Sequence, residues 1–260
     1  GEAVALYDAA HLKARWQVGG VAYQLPAGVQ LSAGGRVLVT SAEPSDVCLS
    51  GRVPPGVRVL GPLPLPLSSA EAALILSQPV AWGDGLAAAE LDQVHYRGET
   101  PWPPQSVDAV LSRTALRGFG SEPANWQTIA GNDFAPLTGL SDAPLDPASA
   151  TALCSFDAFI NGDGQLEVRW VAAPQTGTVA FRLLRSPLAA PKSKTVIAQQ
   201  PVSGAGVGAA LVQWIDADAD PKQQYIYWLQ TVDAADKAHD VAFTTLRVEV
   251  HQLYAPFAAR

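Results

Sequence analysis

Proline and glycine interrupt this chain so often that long helices are excluded through most of it. There are 21 prolines and 22 glycines in 260 residues, and through the N-terminal half they bracket short apolar runs roughly every 8–15 residues. These runs are "AVALYDA", "VAYQLP", "RVLVTSA", "VRVLGPLPL", "AALILSQ" and "LDQVHYRG". Each X-Pro step forces the residue before it out of helical space, so "VRVLGPLPL" reads as extended. "SSAEAALIL" is helix-like in composition, but prolines precede it and a β-type apolar run ends it, so it is assigned to a strand. Short strands at this spacing predict an all-β fold of the sandwich or barrel type.

The pattern lapses after Trp126. From Asn132 to Ser149 the residues are mostly Asp, Pro, Ser, Thr, Ala and Gly. A featureless stretch of that length is unusual inside a compact domain, so residues 131–152 read as a Pro/Asp-rich linker that isolates the N-terminal half from the C-terminal half. Trp126 is then expected to be largely buried, closing the open end of the first sandwich, with Asn125 bonded to nearby backbone. Pattern resumes with "SFDAFI", the turn "NGDG" and "QLEVRWV". Alternation puts Leu166, Val168 and Trp170 on one face and Glu167 and Arg169 on the other. "TVAFRLLRS", "LVQWID", "QYIYWLQTVD" and "VAFTTLRVEV" bring the set to about seven strands, the sandwich signature again. The expected organisation is two immunoglobulin-like β-sandwich domains, residues 1–130 and 153–251, with a tail at 252–260.

Composition excludes several function classes. Apolar residues make up 48 % and charged residues 16 %, with a net charge of −7. This is neither a disordered chain nor a basic nucleic-acid binder. No run approaches the roughly 18–20 apolar residues of a membrane-spanning helix. Methionine is absent throughout, so the sequence is expected to be a processed or trimmed piece of something longer. The two cysteines, Cys48 and Cys154, match no zinc or redox spacing. They are either a disulfide or two separate buried thiols. Low Lys and few Cys suit an exported bacterial protein.

Catalytic signatures are missing. His11, His95, His239 and His251 are scattered, with no i, i+4 pair, and no G-x-S-x-G elbow occurs. "GAGVG" at residues 204–208 lacks the following Lys-Ser/Thr of a phosphate loop and opens no helix, so it reads as a flexible loop. Asp216, Asp218 and Asp220 could offer carboxylates to a weak Ca²⁺ site. The run lacks the Gly and later Glu of a Ca²⁺ loop, so a solvated turn is the competing reading. Trp82, Trp102, Trp214 and Trp228 serve either as core residues or as exposed indoles that stack on sugars. No cofactor is expected.

Residues 1 to about 130 resemble a lamin tail domain of the bacterial exported type. The resemblance rests on Leu25-Pro26-Ala27-Gly28, on "PWP" at Pro101–Pro103, and on Pro123-Ala124-Asn125-Trp126, in family order. It implies an immunoglobulin-like sandwich. That family usually opens with a strand before the one matching "EAVALYDA", and here the sequence starts too late to contain it. Residues 154–250 resemble a bacterial fibronectin type III domain, which implies that Trp170 is its core tryptophan and Tyr225 its tyrosine corner. Together the resemblances imply a non-catalytic extracellular or cell-surface structural module. Its expected partners are its own copies or upstream polypeptide, met by strand donation into filaments or arrays. The alternative is a carbohydrate-binding or accessory region of an exported enzyme.

Overall fold

The computed structural model describes residues 3–54, 56–68, 70–104, 109–115, 118–130, 152–173, 177–202 and 209–247. The linker expected over 131–152 lies outside them except for Ala152, as do the 252–260 tail, His251 and the "GAGVG" loop.

In the first unit the strands are β1 Val4–Ala5, β2 Gln17–Gly19, β3 Tyr23–Gln24, β4 Gln30–Leu31 and β5 Val37–Val39. Helix α1 Pro44–Leu49 follows, then β6 Arg58–Leu60, β7 Glu71–Trp82, β8 Gly85–Arg97, β9 Ala109–Arg113 and β10 Trp126–Ala130. Strands β3-β2-β7-β8 form one antiparallel sheet, while β1 pairs with β4 and β9 with β10. Strands β5 and β6 pair in parallel, and α1 lies in the connection between them. A parallel pair needs such a crossover. Leu6, Val21, Tyr23, Leu25, Val29 and Leu60, drawn from strands and the segments beside them, form one buried core. "SSAEAALIL" enters β7, as its flanking prolines predict. Helix α1 was not legible as an amphipathic pattern. Its six residues begin at Pro44, whose fixed φ suits a first helical turn, and they carry Cys48 on a buried face.

The second unit contains β11 Ala152–Ile160, β12 Leu166–Ala173, β13 Thr178–Pro187, β14 Thr195–Pro201, β15 Ala210–Ile215, β16 Tyr225–Asp233 and β17 Ala238–Thr245. Two antiparallel sheets, β11-β12-β15 and β14-β13-β16-β17, face each other. This three-on-four arrangement is a fibronectin type III-like sandwich. Trp170 lies at its centre, 1 % exposed, with the Phe181 ring edge-on at 6.2 Å. The turn at "NGDG" closes through the Asn161 side chain, whose Oδ1 accepts from the N–H groups of Asp163 and Gln165 at 3.1 and 3.0 Å. Tyr225 is buried, and its hydroxyl accepts the Asp220 N–H at 3.1 Å, the bond of a tyrosine corner.

The two units are not isolated from each other. Helix α1 and β6 pack against β11, and α1 also meets β12 and β15. Cys48 and Val59 of the first unit share a buried cluster with Val171 of the second. At Val171 this accounts for a departure from the alternating pattern of β12, and at Glu167 the side chains of Asn161, Arg169 and Gln213 do. The inner face of β12 is Leu166, Val168 and Trp170, as expected, yet Glu167 and Val171 on the other face are buried too.

Candidate functional site

The seam between the units gathers the most unusual chemistry of the described structure. Cys48 on α1 and Cys154 on β11 form a disulfide with Cα atoms 6.0 Å apart, so the chain is closed across 106 residues of sequence. The alternative of two separate thiols does not apply. Around this bridge, backbone carbonyls of each unit accept from arginines of the other. Arg15, itself buried, donates through both terminal nitrogens to the Leu246 carbonyl at 3.3 and 3.4 Å. Arg247 donates to the Gly61 carbonyl at 2.8 Å. Its backbone N–H is held by the Ala158 carbonyl at 2.8 Å, because Leu246 leaves β17 and bridges in parallel to β11. Arg247 and Arg169 both lie 4.8 Å from the Phe159 ring centroid. Arg169 also donates to Glu167, whose second oxygen accepts from Asn161 at 3.3 Å.

Two ionisable groups in the seam lack direct partners. Asp157 of β11 sits among Arg58, Arg247, Arg169 and Glu43. Burial pushes its pKa up to about 6, against the pull of Arg247 and Arg58. Arg58 of β6 is half-buried, and its Nε is fully enclosed. Among the described residues no hydrogen bond or ion pair engages it. Burial pushes its pKa down to about 10, so it stays cationic at neutral pH. Burial also raises the pKa of Tyr23, which packs on the same side of the first unit.

The acidic run does not converge on a cation. The Asp216 carboxylate is 4 % exposed and already engaged, by Arg185 at 2.7 Å and by the Tyr227 hydroxyl at 2.9 Å. Asp220 caps its own turn by accepting the Lys222 N–H at 2.9 Å, and Asp218 is exposed. A buried carboxylate with a guanidinium and a phenol is a structural anchor, which corrects the Ca²⁺ expectation. Among the described residues no group of three or more His, Cys, Asp or Glu could hold a metal, and no helix is long and apolar enough to cross a membrane.

The tryptophans divide. Trp126 is half-buried rather than enclosed. It opens β10 opposite Arg113, whose guanidinium lies 5.1 Å from its ring, and its indole N–H donates to the Gly120 carbonyl at 2.7 Å. Trp102, 6.2 Å away, is the buried member of that pair, at 7 % exposure. Asn125 donates to the Phe119 carbonyl at 3.0 Å. Trp214 packs on the second core. Trp82 is 77 % exposed at the β7–β8 tip. Trp228 is half-buried beside Phe243, centroids 4.8 Å apart, with Lys194 Nζ 3.6 Å from its ring centroid.

No family model and no curated protein matches the sequence. Two solved structures illustrate the likenesses found. One is an Fn3-like protein from Clostridium thermocellum, 17 % identical over 38 % of this chain and 93 % of its own, at a TM-score of 0.29. The other is the pectate lyase Pel3 from Pectobacterium carotovorum, 20 % identical over 40 % of this chain and 28 % of its own, at a TM-score of 0.27. The strand order of the second unit, three strands on four, is itself fibronectin type III-like.

Proposed function

We propose that this chain is a non-catalytic extracellular or cell-surface structural module of bacterial type, a lamin-tail-like sandwich followed by a fibronectin type III-like one, that assembles through an open strand edge. The observation that carries the reading is β8. It is a 13-residue strand at the end of its sheet, and its outer edge is unpaired among the described residues. Near it Trp82, Leu86 and Leu91 are exposed at 77, 40 and 47 %. Natural proteins usually blunt such edges, and one left open is suited to strand addition by a neighbour. Gly120 approaches β8 at Asp92–Gln93, where Arg113 pairs with Asp92 at 2.6 Å. Strand β1 is a second candidate edge, for it pairs with β4 over only two residues. A cross-unit disulfide fits an oxidising location. Head-to-tail pairing, the edge of one copy meeting a different strand of the next, builds filaments where its rotation does not close into a ring.

Sedimentation velocity over a range of concentrations tests this reading, with Leu86→Lys/Leu91→Lys as the comparison. The reading expects concentration-dependent association that the lysines abolish. A monomer at every concentration, with β8 amides already protected from hydrogen exchange, would remove it.

A further inference from the structure

A cleft of about 380 Å³ opens between the two units, a size at the lower end of small-ligand sites. The first unit lines it with Gln30 and Arg58, the second with Trp228, Asp240 and Phe243.

Arg58 is the leading feature. Its enclosed Nε has no acceptor, which costs stability, and native structures rarely keep such a group without a reason. Asp157 attracts it from within the seam, but no ion pair forms between them. The other polar groups of the cleft have capacity to spare. Asp240 accepts from Gln230 at 2.7 Å and lies 4.0 Å from Lys194, which leaves acceptor sites on an exposed carboxylate. Gln30 donates to the Tyr7 hydroxyl at 3.2 Å, so its amide oxygen is available. The apolar wall is aromatic. Phe243 is flanked by Trp228 and, edge-on at 5.3 Å, by Tyr7. Lys194 sits over the Trp228 ring, which shows that this face attracts groups carrying positive charge. The C–H face of a sugar ring is polarised in the same sense and can displace a flexible lysine. Among the described lining residues Arg58 is the cation, and its Nε is enclosed without an acceptor while Asp240 already has Gln230, which favours a ligand that brings a carboxylate to Arg58.

We propose that the cleft between the two units binds an acidic saccharide, with a carboxylate facing Arg58, hydroxyls donating to Asp240 and Gln30, and a ring face against Trp228.

Titration calorimetry of the intact chain tests this. The probes are hexuronic-acid trisaccharides, compared with the same trisaccharides after reduction of their carboxyl groups to neutral hexoses. The acidic forms bind and the neutral forms bind at least tenfold more weakly. Arg58→Gln loses the acidic ligand by tenfold or more while its melting temperature changes little, because Arg58 makes no hydrogen bond or ion pair among the described residues and Asp157 keeps Arg247 and Arg169 nearby. Asp240→Asn, at an exposed position, weakens binding several-fold without unfolding. Absence of binding by any probe, equal binding of acidic and reduced forms, or unchanged affinity in Arg58→Gln overturns the site. So does a marked fall in melting temperature for Arg58→Gln, which would show that the residue is structurally engaged.

Discussion

Gly28 is where the packing of the two units is least forgiving. It has φ +91°, and a Cβ placed on it would lie 1.9 Å from the Phe243 carbonyl oxygen and 2.8 Å from its carbon. Both obstacles are backbone, so no side-chain rotation relieves them. Gly28→Ala therefore carries two costs. The left-handed backbone disfavours a Cβ by about 1–2 kcal/mol. Forcing the β3–β4 turn away from β17 adds about 1–3 kcal/mol, as overpacking does. At about 2–4 °C per kcal/mol for a chain near this size, the melting temperature falls by roughly 4–20 °C. Gly51 supplies the control, because it has φ +73° with nothing within 4 Å of the added Cβ. Gly51→Ala carries the backbone cost alone. Thermal melts of the two variants, with hydrogen exchange across residues 238–245, separate the terms. The account expects the larger loss and faster exchange of β17 in Gly28→Ala. Equal losses in the two variants, with β17 unchanged, would refute the claim that the units meet backbone to backbone at this point.

Trp170→Ala should cost about 3–5 kcal/mol, nearer the lower value because the indole N–H it removes is enclosed without an acceptor; a fluorescence-monitored denaturant titration should shift as one transition. Replacing Cys48 and Cys154 by serine removes a cross-link spanning 106 residues. On the chain-entropy model that costs about 4–5 kcal/mol, measured as the change in urea unfolding free energy. Asp157 binds its proton more tightly in the folded state, near pH 6 rather than 3.8, so its contribution is full below about pH 4 and is lost as pH rises through 6. Asp157→Asn should flatten that fall in a series of melts from pH 4 to 7.5, and an unchanged slope would place the titration elsewhere. Tyr227→Phe leaves Asp216 with Arg185 alone and should cost about 1–3 kcal/mol in the same titration.

Legibility in the sequence tracks the range of the interactions. Leu166, Val168 and Trp170 face the core because strand alternation is local, and Asn161 closes its turn through bonds to residues two and four positions on. Tyr225 reaches a backbone N–H only five residues upstream. Glu167 was misleading, since Asn161, Arg169 and Gln213 of its own unit enclose it, and on the same face Val171 is buried where the first unit covers it. The seam joins residues separated by more than a hundred positions, such as Arg15 with Leu246 and Arg247 with Gly61. No periodicity announces such pairs, so a stretch without pattern suggested isolation where the flanking units in fact pack together. Asp216 misled for a related reason: its partners Arg185 and Tyr227 lie on β13 and β16, and only the folded sandwich brings them to it.

The central claim is that two β-units form one body across the Cys48–Cys154 bridge and the cluster of Cys48, Val59 and Val171. Differential scanning calorimetry of the oxidised chain tests it most directly. The account predicts a single transition whose calorimetric and van't Hoff enthalpies agree. Two resolved transitions, with Trp170→Ala moving only one of them, would contradict it.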